Sequence, residues 1–286
     1  MTIEHAALIP SISNADYHAD RASLSCSGAK LILRSPAKFV WQQDHPVFKD
    51  VFDFGTVAHT LVLGEGGDIM VLDPEVHGLK KDGTVADNPR ATTTWKTAES
   101  EARQRGQTPI PLADYQTCSA MADMITTHTT ARELLASGIA ERSGYWQDEP
   151  TDTRLRFRPD WLTEFEGRPV CVDYKTAASA DTDDFMRAAA RFGYDLQFAW
   201  YVAGLVALGI DNPRMVFVAQ EKSPPFEVNV IELPDEAFES GKRQMRQAID
   251  TFARCVESGT WPSAYGDGIN TGDWPVWAMD EQEMVI

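Results

Sequence analysis

Residues 156–176, RFRPDWLTEFEGRPVCVDYKT, place an aspartate after a proline at Asp160 and then, past a turn, the run Asp173-Tyr174-Lys175. Upstream, Leu155 and Phe157 alternate with arginines, TEFEGRP carries turn residues, and Val170-Cys171-Val172 is a short apolar run of β-formers. The pattern predicts two strands joined by a hairpin, with Asp160 ending the first strand and Asp173 late in the second. Antiparallel pairing would bring the two carboxylates together, and Lys175, two residues on, would share the face of Asp173. Two clustered acids and a lysine are poor core material, but they suit a divalent metal ion, which takes oxygen ligands.

Composition bounds what such a site serves. A chain of 286 residues, 43% hydrophobic and 24% charged, is long enough to bury a full core. Its four cysteines, Cys26, Cys118, Cys171 and Cys255, form no CxxC pair, and neither a signal peptide nor a membrane-spanning apolar run is evident. The expectation is a cytoplasmic protein with no membrane partner. The net charge of -17 argues against a nucleic-acid partner on average. Bases nevertheless cluster at Lys30/Arg34/Lys38, at Lys80/Lys81/Arg90/Lys96, at Arg154/Arg156/Arg158 and at Lys242/Arg243/Arg246, so any DNA track is expected to be local.

No repeat or low-complexity tract divides the chain, and residues 1–286 are expected as one enlarged domain. Its N-terminal helical part, residues 1–110, begins with a helix capped by Ser25 or Ser27, is interrupted at Ser35-Pro36, continues through FGTVAHTLVLG and ends in a long basic loop, 73–110. An αβββαβ core over 111–260 follows. It comprises a helix over 111–137, a strand over 143–148, the hairpin, a helix from about 194 to 209, the strands RMVFVAQ and FEVNVIEL, and an amphipathic helix from Pro234 to Glu257. The aromatic tail, 261–286, is expected to be irregular and to pack on the body. This order predicts an α/β fold, a mixed central sheet flanked by helices.

Arg158-Pro159-Asp160, Asp173-Tyr174-Lys175 thirteen positions after Asp160, and then Gln197 and Tyr201 on a helix together resemble the PD-(D/E)xK nuclease superfamily, with its restriction-endonuclease-like core, and its RecB-like branch in particular. SCSGAKLILRSPAKF, GTVAHTLVLG, ERSGYWQDE and the closing DWPVWA resemble the phage and prophage exonuclease VIII, or RecE-type, nuclease domain. The resemblance spans nearly the whole chain and places the family's histidine on His59 and a further acidic ligand on Glu141. It implies a 5′-to-3′ exonuclease on linear duplex DNA that leaves 3′ single strands. It also implies a ring-shaped homo-oligomer, a trimer or tetramer, and a RecT-like single-strand annealing partner. Some RecB-like relatives hold an iron–sulfur cluster, but here the corresponding segment reads Ser35-Pro36-Ala37-Lys38-Phe39 and only Cys255 lies near the end, so no cluster is expected.

Phosphodiester hydrolysis needs an activated water and charge against the phosphoryl oxygens, which Mg²⁺ supplies. Asp160 and Asp173 are the expected ligands, with the Tyr174 carbonyl, Glu141 and His59 as further members; the imidazole makes Mn²⁺ a workable substitute. Lys175 would orient or deprotonate the water, or offset negative charge. Gln197 and Tyr201, one helical turn apart, would face DNA or Lys175. Lys80, Lys81, Arg90, Lys96 and Arg158 are the candidates for binding DNA. The plain rival is that Asp160 and Asp173 pair with Arg156 or Arg158. Rival functions are an Mg²⁺-dependent endonuclease, a RecB-like repair module, and a catalytically silent DNA-end adaptor.

Overall fold

Serine caps organise the N-terminal part of the computed structural model, which describes residues 8, 12, 14–45 and 50–274. After α1 (Asn14–Ala19) and β1 (Leu24–Ser25), Ser25 caps α2 (Cys26–Arg34) by accepting from the Gly28 amide at 3.1 Å. Ser35 closes α2 and caps α3 (Pro36–Asp44), whose first residue is the proline that breaks the run. Then come α4 (Asp50–Leu63) and β2 (Ile69–Leu72).

The segment 73–110, expected as a loop, folds instead into α5 (Pro74–His77), a 3-10 turn at Pro89–Ala91, α6 (Thr93–Gln104) and β3 (Thr108–Pro111), which pairs parallel with β2. Thr92 starts α6 by accepting from the Trp95 amide at 3.2 Å, and Trp95 and Ala102 bury one narrow stripe. The other positions of α6 are largely polar, so tertiary contact rather than amphipathic pattern decides the helix. The helix expected over 111–137 is two, α7 (Leu112–Ile125) and α8 (Thr129–Leu135), because the His128 ring caps the second by accepting from the Ala131 amide at 3.2 Å.

The remaining strands are β4 (Ile139–Ala140), β5 (Gly144–Asp148), β6 (Thr153–Phe157), β7 (Trp161–Phe165), β8 (Arg168–Ala177), β9 (Arg214–Glu221) and β10 (Val228–Ile231). The first strand read into residues 156–176 is divided between two sheets. Leu155 and Phe157 belong to β6, which lies in a three-stranded sheet ordered β1-β6-β5. Asp160 follows that strand and stands immediately before β7. Thr163, Glu164 and Phe165 are strand, not turn, and the turn is Glu166-Gly167, both at positive φ (52° and 74°), the backbone of a two-residue hairpin. Trp161 pairs with Val172, so Asp160 comes opposite Asp173 by the expected antiparallel geometry, one strand later than expected.

The five-stranded sheet runs β10-β9-β8-β7-β4, mixed in direction, with β8 and β9 parallel and the other neighbours antiparallel. Alternation along β8 and β9 builds two cores. Val170, Val172, Tyr174, Val216 and Val218 face Val57 and Ala58 of α4, Ile125 of α7 and Leu134 of α8. Cys171, Met215, Phe217 and Ala219 face the other layer, made of α2, α9 (Thr182–Phe192), α10 (Tyr194–Ala207) and α11 (Asp235–Ser258). Of these, α9 is absent from the sequence expectation although Asp181 caps it and Gly193, at φ 66°, ends it. Of the aromatic tail, Trp261 stacks on Phe39 at 5.5 Å and Pro262 accepts from the Ala37 amide, while residues 262–274 are exposed, contrary to a packed tail. Part of DWPVWA lies outside the described residues. Among the described residues no helix is long and apolar enough to cross a membrane.

Candidate active site

Two helices from opposite faces of the sheet, α4 and α10, meet β8 where β7 starts. His59, from α4 on one face of the sheet, brings Nε2 to 3.0 Å from Asp160 Oδ2 and 3.0 Å from the Tyr174 carbonyl. The Tyr174 amide donates to the same Asp160 oxygen at 2.9 Å, a bond that fixes the carboxylate to the neighbouring strand. From the opposite layer, α10 sends the Gln197 amide to donate to Asp173 Oδ1, and the Lys175 ammonium is ion-paired with Oδ2. Lys175 sits 5.2 Å over the Tyr194 ring.

The charges follow from burial and proximity. Burial opposes the His59 imidazolium, yet attraction to Asp160 outweighs it and lifts the ring to about 9. Burial likewise raises the Asp160 carboxyl, but His59 and Lys175 pull it below the ordinary carboxylate range. Asp173 is pushed upward by burial and by repulsion from Asp160. Lys175 is held above its ordinary range, with burial opposed by Asp173 and Asp160, so it is an ammonium.

The donor set fits a divalent cation. His59 Nε2, Asp160 Oδ2 and the Tyr174 carbonyl converge within hydrogen-bond distance, and Asp173 Oδ2 close by is neutralised by the Lys175 ammonium. Asp160 and Asp173 bring two carboxylates close together in a buried place, and a cation would offset their mutual repulsion. Among the described residues no three His, Cys, Asp or Glu side chains are grouped so as to hold a cation, so a donor set here would have to include the Tyr174 carbonyl.

An open cleft of about 250 Å³ lies beside these groups, lined by Tyr17, His18, Ser25, Ser27, Lys30, Glu141, Arg158, Asp160, Gln197 and Tyr201 among others. Glu141 is at a left-handed φ of 48° and its amide donates to the Asp160 carbonyl at 3.1 Å. Its carboxylate faces Arg158 at 3.7 Å, and burial and Asp160 raise its affinity for a proton. Gln197 meets Asp173 and Lys30 rather than Lys175, and the Tyr201 hydroxyl donates to the Arg158 carbonyl at 3.0 Å instead of reaching Lys175. The arginines do not hold the aspartates. Arg156 serves Ser23 and Asp20, and Arg158 donates to Ser143 and the Ile12 carbonyl while lying 4.1 Å over Tyr17.

Of the basic residues singled out for DNA, only Arg158 lines this cleft. Lys80 pairs with Asp87 at 3.4 Å, Lys81 is exposed nearby, and Arg90 and Lys96 line a separate cleft of about 200 Å³ with Asp53, Glu99 and Asp114. Sequence reasoning missed Lys30 as a site residue. Its ammonium donates to Gln197 Oε1 at 3.4 Å and lies 5.3 Å over Tyr194, the ring that Lys175 also faces. The signal was its place one turn after Cys26, which puts it on the cleft side of α2.

The fold is that of a crystal structure from Eubacterium rectale named as a candidate exonuclease, at a TM-score of 0.61 and 12% identity over 94% of this chain and 97% of that one. A phage-related exonuclease from Haemophilus somnus 129PT is similar over 71% of this chain and 95% of its own, at 15% identity and a TM-score of 0.31. The fold correspondence rests on the first of the two. Among curated proteins none matches the sequence. Residues 25–269 match the PDDEXK-like domain of unknown function DUF3799, and the chain belongs to that family.

Proposed function

We propose that the protein is a divalent-metal-dependent deoxyribonuclease, a 5′-to-3′ exonuclease on linear duplex DNA that leaves 3′ single strands for recombination by annealing. The observation that carries the reading is the convergence of His59, Asp160 and the Tyr174 carbonyl on one side of Asp173 and Lys175. Asp160, Asp173, Tyr174 and His59 would hold the cation, Mg²⁺ or, given the imidazole, Mn²⁺, with Glu141 adjacent. When bound it supplies positive charge at the phosphoryl oxygens and an activated water.

The protein's own groups do the rest. Lys175 is protonated and fixed by Asp173, so it acts as a positive charge against the phosphate or as a donor that orients water, not as a base. Gln197 fixes Asp173 and sets Lys30 at the cleft wall, and Tyr201 fastens the Arg158 backbone. A ring of three or four copies, with an annealing protein as partner, is part of the reading. Its support is the family resemblance and the need to keep a chain of charge -17 on a polyanion.

The test is metal-dependent release of nucleotide from linear duplexes labelled at one 5′-phosphorylated end, with closed circular DNA and Asp173→Ala alongside. Loss of the 5′ label, intact circles and an inactive variant are expected. Cut circles would indicate an endonuclease, and absence of metal-dependent cleavage would indicate a silent adaptor.

A further inference from the structure

In a chain of net charge -17, residues 22–43 contain no aspartate or glutamate and carry Lys30, Arg34 and Lys38. The segment begins inside the catalytic cleft, where Ser25, Cys26, Ser27 and Lys30 form part of the wall. Arg34 is one turn beyond Lys30 on the same face of α2, and it is exposed. Ser35 then starts α3, one turn into which Lys38 donates to the Tyr265 hydroxyl at 3.2 Å and lies 5.3 Å over that ring. Trp41 follows on the same face of α3 as Lys38.

Two rings on this surface are open to solvent where burial would be expected of them. Trp41 is 56% exposed and Tyr265 63% exposed. Trp41 is backed by His45, stacked flat against it at 4.2 Å and 7°, which presents one indole face and fixes its orientation. Tyr265 is held beside Lys38 because the tail is tied down just before it. Trp261 stacks on Phe39, and Pro262 accepts from the Ala37 amide at 3.1 Å. Asp44, the next acid along the chain, is ion-paired with Arg21 at 2.8 Å, which limits repulsion of an anion here.

We infer that the α2–α3 face, from Lys30 through Arg34 and Lys38 to Trp41 and Tyr265, binds an unpaired DNA strand adjoining the catalytic cleft, its phosphates along the bases and its nucleobases on the two rings. Charge complementarity selects a polyanion, and exposed aromatic faces beside cations select unstacked bases over a closed duplex. The inference rests on the nuclease reading for the identity of the strand, and not on any catalytic residue for its binding.

The test is binding of fluorescein-labelled oligothymidylate, and of a blunt duplex of equal length, to the full chain in EDTA, so that hydrolysis plays no part. The variants are Trp41→Ala/Tyr265→Ala, Lys38→Glu, and Trp41→Phe, which keeps a stacking ring. A loss of about tenfold or more in single-strand affinity is expected for the first two, with recovery for Trp41→Phe and unchanged thermal melting. Unchanged single-strand affinity in protein whose wild type degrades DNA overturns the inference and leaves the nuclease reading standing. Equal losses on duplex and single strand also overturn it, since the face would then follow phosphates alone. Loss of single-strand affinity in a protein whose wild type cleaves nothing supports the binding face and removes the nuclease reading.

Discussion

The side-chain amide of Gln197 donates to Oδ1 of Asp173, so a helix on one side of the sheet sets the orientation of a carboxylate on its central strand. Removing that donor leaves a carboxylate oxygen buried without its partner. Gln197→Ala is expected to lower the cleavage rate by roughly 10- to 100-fold and to cost about 1–3 kcal/mol of stability. Steady-state kinetics together with urea unfolding check both, and a fully active, fully stable variant would show that the bond does not orient Asp173.

Lys175 is expected to act as a charge in a fixed position. Lys175→Ala should abolish cleavage while the fold persists. Lys175→Arg keeps the charge but presents a broad planar fork beside Tyr194, and it should recover only a small part of the rate. Parallel rates at several pH values distinguish the roles. A basic limb that disappears in the arginine variant would mean that Lys175 accepts a proton after all.

In metal-free protein the raised His59 is a stability term. Its folded-state value, about 9, lies above the unfolded value near 6.5, so its contribution is complete below the unfolded value and is lost as pH rises through the folded one. Melting temperature in EDTA should therefore fall between about pH 6.5 and about pH 9. His59→Gln should flatten that decline, and a wild-type curve already flat there would contradict the pairing with Asp160.

His59 would have to give up its proton to serve as a ligand to a cation held among these atoms. Cleavage should stop in EDTA and return with Mg²⁺ or Mn²⁺, and metal affinity by titration calorimetry should tighten as pH rises through the His59 transition. The visible absorbance of an iron–sulfur cluster should not accompany the purified protein.

Gly241 offers a test of the scaffold without touching the site. A Cβ there would stand 2.0 Å from the Asp195 carbonyl of α10, the helix that carries Gln197. Gly241→Ala is expected to force α10 and α11 apart at a cost of about 1–3 kcal/mol and to lower activity through Gln197. Denaturant unfolding and kinetics should move together.

The site was legible in sequence where its chemistry is local. Asp160, Asp173 and Lys175 lie within one short stretch, and their types and spacing suffice to bring them near one another. The division of that stretch between two sheets was not legible, because β6 is claimed by β1 and β5, and the parallel pairing of β1 with β6 joins residues far apart in the chain. Nor was α6, whose outward positions are polar and whose stability comes from Trp95 and Ala102. In contrast, α9 had readable caps at Asp181 and Gly193 that a search for apolar periodicity passes over. Lys30 escaped notice because its partners, Gln197 and Tyr194, come from the far end of the core.

The crossing of the chain between the two sheets has a practical consequence. It passes from one sheet to the other twice, at Glu141 and again between Arg158 and Asp160, and the bond from the Glu141 amide to the Asp160 carbonyl stitches the two passages together. Asp160 is thus mounted on a joint and not in the middle of a panel. A synthetic hairpin of residues 156–176 would carry both aspartates and the lysine without the stitch, the His59 contact or the Gln197 brace, and any attempt to shrink the protein while keeping this site must keep α4, α10 and both crossings.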